Sequence, residues 1–146
     1  MKRRSESSFG LHFDFHARPY PGRPPVGLTL KEEDIREICT LIRPDFIQID
    51  CKGHPGWTSY PSKLGNAMPE FAIDPLALWR KVTREEDVAL YMHYSGVYEV
   101  KYCAEHPDES ALQVDGTPST SVRMDSRYFE DYFIPDNTSF GISSLE

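Results

Sequence analysis

The sequence is poor in cysteine and in long apolar runs, and each shortage excludes a class of protein. Only three cysteines occur among 146 residues, and no CxxC pair is present. An odd, small number of thiols argues against a disulfide framework, so we predict free cysteines and a cytoplasmic protein. No stretch approaches the ~20 apolar residues that cross a bilayer. We therefore expect no membrane-spanning segment.

Positive charge is also scarce. Lysine and arginine number 16 against 23 aspartates and glutamates, and the formal net charge is −7. Nucleic acids and anionic membranes attract basic surfaces, so we expect neither as a partner. The basic cluster KRR at residues 2–4 is not followed by an apolar segment and is not a secretory signal. An apolar fraction of 39% with 12% aromatics is typical of a globular domain.

Three segments have the pattern of β-strands, and two helical segments separate them. Residues 9–17, FGLHFDFHA, alternate between apolar and polar side chains, and residues 46–51 and 88–94 are short apolar runs. Thr29 with Glu32 fits a capping box that opens the first helix, and Asp74 followed by proline opens the second. Strands spaced by at least ~30 residues indicate parallel βαβ units.

The remaining chain has weaker patterns. After residue 94 we predict an irregular stretch with a tight turn at Asp115-Gly116, followed by a last helix that Ser126 caps. The order of elements fits either a doubly wound sheet or a (β/α)₈ barrel. No G-x-G-x-x-G follows the first strand, which argues against a dinucleotide site.

Polar side chains gather where the three predicted strands end. In both architectures functional sites lie beyond the carboxyl ends of parallel strands. Those ends are residues 14–17, 50–54 and 93–96, and each carries a histidine. The loop at residues 51–63, CKGHPGWTSYPSK, adds an aromatic side chain next to polar donors, a combination that suits a sugar. Three carboxylates are available for acid–base chemistry: Asp14, Asp50 and Glu99.

A metal site is the alternative interpretation of the first strand. His12, Asp14 and His16 lie on one strand face, and a HxDxH run is able to ligate zinc. A metal-dependent hydrolase that uses these three residues therefore stays open. The sequence offers no clear second cluster of ligands, so the favoured expectation is that the chain uses no metal and no cofactor.

Residues 52–63, KGHPGWTSYPSK, resemble the α-L-fucosidase-like glycoside hydrolases, in which an apolar second strand leads into K-H-H-D-G-F … W-P-S-K. The departures are Gly53 and Pro55. Residues 10–17 resemble the family's F-G-x-F-x-H-x-G opening, which puts His16 at a sugar-binding position. Residues 88–95 resemble G-L-x-x-G-L-Y-Y-S, and the resemblance runs from about residue 9 to about residue 135.

The resemblance implies the first three or so βα units of a (β/α)₈ TIM barrel, within a retaining glycosidase. It implies that five residues bind the substrate: His16, Lys52, His54, Trp57 and Tyr94. The family's aspartate nucleophile and its acid/base residue lie on later strands, so no residue here inherits a catalytic role. The expected partner is carbohydrate, the terminal sugar of a glycoside, and we expect this chain alone to be inactive.

Three divisions of the chain follow from this interpretation. We predict a disordered segment at residues 1–8, a partial barrel at residues 9–135 and an irregular tail at residues 136–146. A part-barrel leaves its outer strands with unpaired backbone groups, so we also expect self-association through the sheet edges. The alternative functions are a non-catalytic carbohydrate-binding or interaction domain of the same fold, and the metal-dependent hydrolase described above.

Overall fold

Residues 4–135 are described by the computed structural model, which forms a parallel sheet with helices and a smaller hairpin unit. The parallel sheet has three strands, β1 (Gly10–Phe13), β2 (Phe46–Lys52) and β3 (Ala89–Tyr94). They lie in the order β1-β2-β3. Two helices connect them, α1 (Glu32–Ile42) and α2 (Pro75–Glu85). The prediction of a mixed α/β fold with a parallel sheet is confirmed.

The second unit follows β3. A short helix α3 (Val100–Glu105) precedes an antiparallel hairpin of β4 (Ser110–Leu112) and β5 (Pro118–Val122). One turn of π-helix, Phe129–Phe133, ends this unit. The sequence analysis predicts irregular chain where α3 forms, because six residues are too short to show a helical period.

The sheet buries one face against the two connecting helices. Ile47 and Ile49 on β2 pack with Ile35 of α1 and with Trp79 and Val82 of α2. Side chains alternate along a strand, so Gln48 and Asp50 point to the opposite face. The core therefore lies on the helix side of the sheet, and the polar positions of β2 lie on the other side.

The helix starts test two predicted caps. Asp74 caps α2 as predicted, since its Oδ1 accepts a hydrogen bond from the Ala77 N–H at 3.1 Å. The Thr29 capping box is wrong: α1 begins after Lys31, and no side chain caps it. Thr29 instead lies in a turn in which the Leu30 N–H donates to the Gly27 carbonyl at 3.2 Å.

The acidic end of α2 opposes the helix dipole, and the structure shows what offsets it. The Arg36 guanidinium on α1 donates to Glu85 at 2.6 Å and also to Glu86. These carboxylates raise the pKa of Arg36 above its ordinary value. The charges that a lone helix would disfavour therefore join α2 to its neighbour.

The predicted hairpin turn at residues 115–116 is confirmed, whereas the predicted helix cap at Ser126 is wrong. Gly116 has φ +82, and Asp115 Oδ1 accepts from the Thr117 N–H at 3.0 Å, which closes the turn. Ser126 does not cap the final helical turn, which begins after Tyr128 without a side-chain cap.

The predicted terminal segments are described only in part. Arg4–Glu6 form one turn of 3₁₀ helix, and the Ser8 N–H donates to Asp45 Oδ2 at 2.8 Å. The tail at residues 136–146 lies outside the described residues. The three-part division of the chain therefore stays a prediction.

Candidate functional site

The carboxyl ends of the three parallel strands bring together histidines and aspartates that are far apart in the sequence. The register pairs Asp50 of β2 with His93 of β3, and His12 of β1 with Gln48. β1 is shorter than the sequence indicates and stops at Phe13, so Asp14 and His16 lie just beyond its end. We refer to four residues, His12, Asp14, His16 and Asp50, as the His–Asp cluster.

Asp50 is at the centre of this cluster. His12 Nε2 lies 3.2 Å from Asp50 Oδ1, and His16 Nε2 lies 3.4 Å from Asp50 Oδ2. His16 Nε2 is also 2.8 Å from Asp14 Oδ1. Asp50 is 1% exposed, whereas His12, Asp14 and His16 are exposed to solvent. One buried carboxylate therefore holds two solvent-facing histidines.

Burial sets the electrostatics of Asp50. Loss of solvent raises the pKa of Asp50 above its ordinary value, and the neighbouring Asp14 carboxyl raises it further. The His12 side chain acts in the opposite direction. Asp50 Oδ2 accepts no hydrogen bond from any residue in the described range 4–135. Such a buried oxygen has free capacity for a hydrogen-bond donor or a cation.

His54 joins the rim of the same cluster through the loop after β2. Its ring centroid is 5.3 Å from that of His16, and on its other side it is 5.0 Å from that of Tyr98. The Val100 N–H donates to the His54 carbonyl at 3.0 Å, which fixes the loop backbone. Tyr98 is exposed and was not identified from the sequence, because the segment after β3 carries no recognisable pattern.

Gly53, one of the departures from the fucosidase-like pattern, has a steric explanation. A Cβ atom at residue 53 would lie 2.6 Å from His16 Cδ2. The His16 ring therefore occupies the space that a side chain at 53 would need. The absence of a side chain at residue 53 lets the His16 ring lie directly against the loop backbone.

Trp57 belongs to the same loop but has a different neighbour. It is half-buried, and Lys101 Nζ lies 5.1 Å from the centroid of its ring. At this distance the Lys101 ammonium is attracted to the negatively polarised face of the indole ring. Trp57 is therefore oriented by α3, the helix that the sequence analysis did not find.

Lys52 and Tyr94 lie in a closed cluster of their own. Lys52 is fully buried and forms an ion pair with Glu99, which is also fully buried. Lys52 Nζ donates to Tyr128 Oη at 2.9 Å and to the Ser95 carbonyl at 3.1 Å, and it is 4.8 Å from the Tyr94 ring centroid. No ligand reaches this ammonium from solvent, so Lys52 acts on any binding site only by supporting it. We call this group of Lys52, Tyr94, Glu99 and Tyr128 the lysine cluster.

A cavity of about 470 Å³ borders the His–Asp cluster. His16, Asp50 and Ser59 line part of it, and the rest is mainly apolar, including Phe15, Tyr20, Leu30 and Trp79. Trp79 Nε1 is buried without a hydrogen-bond acceptor in the part of the chain that the structure describes. The volume of the cavity is within the usual range for small-molecule sites, about 300–1,000 Å³.

Comparisons with known proteins bear on the fold alone. No family model matches the chain, and no curated protein matches its sequence. Among solved structures it is similar to α-L-fucosidase isoenzyme 2 from Paenibacillus thiaminolyticus, with a TM-score of 0.73 and 19% sequence identity. The match covers 84% of this chain and 20% of the fucosidase chain. The matched part of the chain therefore has the fold of a region that makes up about a fifth of that fucosidase.

Proposed function

We propose that this chain forms the first βα units of a glycoside-hydrolase-like (β/α)₈ barrel and binds the terminal sugar of a glycoside at the ends of its strands. The observation that carries the proposal is the juxtaposition of His16 and His54, with ring centroids 5.3 Å apart, on a fold like that of part of an α-L-fucosidase. Both side chains are exposed and offer imidazole nitrogens to sugar hydroxyls.

The five predicted binding residues have two kinds of role in this proposal. His16 and His54 bind hydroxyl groups, and Trp57 offers an aromatic face to the C–H side of the sugar ring. Lys52 and Tyr94 support the strand ends from the buried lysine cluster and make no contact with the sugar. The resemblance assigns neither the nucleophile nor the acid/base residue of a glycosidase to any residue of the described range 4–135, so we expect binding without turnover.

Titration calorimetry with L-fucose and other neutral monosaccharides tests the proposal. We expect one weak site per chain that is lost in His54→Ala and in Trp57→Ala. His106→Ala is the matched control, because His106 is exposed but lies in the second unit after α3. Unchanged affinity in both site variants, or no binding to the parent chain, would reject the proposed site. Measurable hydrolysis of an aryl glycoside would reject the expectation of inactivity.

Self-association is a second part of the proposal. Within the described residues, β1 and β3 each pair with one strand only, so each has an edge that no further strand of the sheet covers. Parallel strands are normally covered on both faces and at both edges. We expect a concentration-dependent dimer or larger species by size-exclusion chromatography, and a monomer at all concentrations would contradict this.

A further inference from the structure

We propose that Asp14, His16 and Asp50 bind a divalent transition-metal ion, for which Zn²⁺ is the best match. The site lies at the carboxyl ends of β1 and β2, next to the proposed sugar site, and its existence does not depend on sugar binding. It departs from the expectation, based on the sequence, that the chain uses no metal.

The donor atoms have separations that suit a small cation. One ligand atom from each of the three residues lies within 4.8 Å of the other two. His16 Nε2 is 2.8 Å from Asp14 Oδ1 and 3.4 Å from Asp50 Oδ2. Zinc bonds to nitrogen and oxygen are about 2.0–2.2 Å long, so neighbouring ligands of a tetrahedral ion lie about 3.4 Å apart. The separation of His16 Nε2 from Asp50 Oδ2 matches this spacing, and His16 Nε2 and Asp14 Oδ1 would have to move slightly apart to admit an ion.

The unsatisfied oxygen of Asp50 is the independent sign that a ligand is expected here. Asp50 is 1% exposed, and its Oδ2 receives no hydrogen bond from any residue between 4 and 135. The same oxygen faces His16 Nε2, which places it on the inner side of the cluster. A buried carboxylate oxygen without a donor is costly, and a bound cation removes that cost.

His12 has the position of an outer residue that orients a metal ligand. Its Nε2 is 3.2 Å from Asp50 Oδ1, the oxygen that the ion does not need. Residues that hydrogen-bond to ligating carboxylates fix their orientation, and their loss commonly weakens metal binding about 10–100-fold. The sequence analysis grouped His12 with Asp14 and His16 as direct ligands, whereas the structure brings in Asp50 instead.

The site also keeps an open side. The Asp14 side chain is 64% exposed and that of His16 is 42% exposed, so solvent reaches the ion from their direction. Three protein ligands leave a fourth position for water or a small ligand. The cavity that His16 and Asp50 line gives such a ligand about 470 Å³ of mostly apolar space.

The donor types favour a transition metal over Mg²⁺ or Ca²⁺. An imidazole nitrogen suits Zn²⁺ and its neighbours in the periodic table, whereas Mg²⁺ and Ca²⁺ take oxygen ligands almost exclusively. Two carboxylates and one histidine therefore predict that Zn²⁺ binds much more tightly than Mg²⁺.

The test is calorimetric titration of the untagged, metal-stripped chain with ZnCl₂, and separately with MgCl₂. We expect one Zn²⁺ per chain and no saturable Mg²⁺ binding. His16→Ala and Asp14→Asn should each weaken Zn²⁺ binding by more than about 10-fold, and His12→Ala by about 10–100-fold. His106→Ala and Asp34→Asn are matched controls, since both residues are exposed and distant in sequence, and they should leave the affinity unchanged.

The absorption spectrum of bound Co²⁺ distinguishes this site from one formed by the three buried cysteines. Co²⁺ bound to nitrogen and oxygen should give visible bands without the near-ultraviolet charge-transfer band of a thiolate. A thiolate band, absence of Zn²⁺ binding, or unchanged binding in both His16→Ala and Asp14→Asn would overturn the proposal. Sugar titrations run with a chelator test the proposed function separately, so the failure of one leaves the other standing.

Discussion

Two charged clusters lie on either side of a single irregularity in β2, and one is open while the other is closed. Asp50 pairs with His93, but Lys52 pairs with Tyr94, so two residues of β2 face one residue of β3 at that point. A bulge of this kind re-aims the side chains that follow it. Asp50 thus holds the exposed histidines of the His–Asp cluster, whereas Lys52 enters the lysine cluster, in which Lys52, Glu99 and Tyr128 are fully buried.

The two clusters differ in the groups that face their buried carboxylate, although within residues 4–135 each has one carboxylate oxygen that accepts no hydrogen bond, Asp50 Oδ2 and Glu99 Oε1. The Lys52 ammonium has Glu99, Tyr128 and the Ser95 carbonyl as partners. Asp50 instead faces the exposed imidazoles of His12 and His16, which lie 3.2 Å from Oδ1 and 3.4 Å from Oδ2. A buried carboxylate that faces a buried cation stabilises the structure, and one that faces solvent-exposed groups is accessible to a ligand. Asp50 and Lys52, two positions apart on β2, therefore have opposite surroundings, one facing exposed groups and the other enclosed.

The largest expected effect comes from breaking the closed cluster. Lys52→Met leaves Glu99 buried without its cation and should lower the free energy of unfolding by about 3–5 kcal/mol. The double variant Lys52→Met/Glu99→Gln should recover most of that loss, because no uncompensated charge remains. Urea unfolding of the parent chain and the variants measures both. Equal destabilisation in the single and double variants would show that the ion pair is not what holds this cluster.

The next effect tests whether the loop depends on the same cluster. Gly56 has φ +88, and a Cβ atom there would collide with Glu99 Oε1. Gly116 has φ +82 with no atom near its Cβ position. Both alanine variants strain the backbone, but only Gly56→Ala also displaces Glu99. We therefore expect Gly56→Ala to lower the free energy of unfolding by more than about 1 kcal/mol beyond the effect of Gly116→Ala. Thermal unfolding of both variants should show a correspondingly lower melting temperature for Gly56→Ala, and equal melting temperatures would contradict this expectation.

A smaller, pH-dependent effect is expected in the open cluster. Burial and Asp14 raise the pKa of Asp50 in the folded chain above its ordinary value near 3.8. A raised carboxyl pKa contributes stability that is present below pH 3.8 and is lost as the pH rises through the folded value.

Asp50→Asn isolates this contribution, because the amide keeps the size of the side chain without its titration. The stability of the parent chain relative to Asp50→Asn should fall as the pH rises, by no more than about 1.4 kcal/mol per pH unit. Urea unfolding of both chains in one buffer series measures this difference. A difference that grows with pH would contradict the assigned direction.

The smallest effect on stability is expected at Gly53, where the consequence is local. Gly53→Ala should change the unfolding free energy by less than about 1 kcal/mol, since its backbone suits any residue. Its methyl group must displace the His16 ring, which lies 2.6 Å from the new Cβ position. Histidine ring signals in NMR spectra check this: those of His16 should shift, and those of His106 should not. Unmoved His16 signals would show that the loop, not the ring, gives way.

Some parts of the fold and the site follow from local patterns in the sequence. Asp74 before a proline correctly marks the start of α2, and Asp115-Gly116 correctly marks the hairpin turn, because both depend on adjacent residues. The strand ends correctly indicate where histidines gather. Helix α3 and the exposed Tyr98 were missed, since neither has a periodic or capping pattern. Lys52 was identified as a binding residue, and its burial was not foreseen.

Within residues 4–135, no helix has the length and apolar character required to span a bilayer. The three cysteines are buried free thiols, as their small, odd number in the sequence predicts.

The sequence by itself determined the order of the three parallel strands and their two connecting helices, because hydrophobic period and turn chemistry act over a few residues. It also determined that histidines and aspartates would meet at the ends of parallel strands. Only the tertiary structure decided which carboxylate those histidines meet, and that Lys52 turns inward to Glu99. The physical reason is that register, the bulge in β2 and burial depend on contacts between residues as far apart as 12 and 50, or 52 and 128.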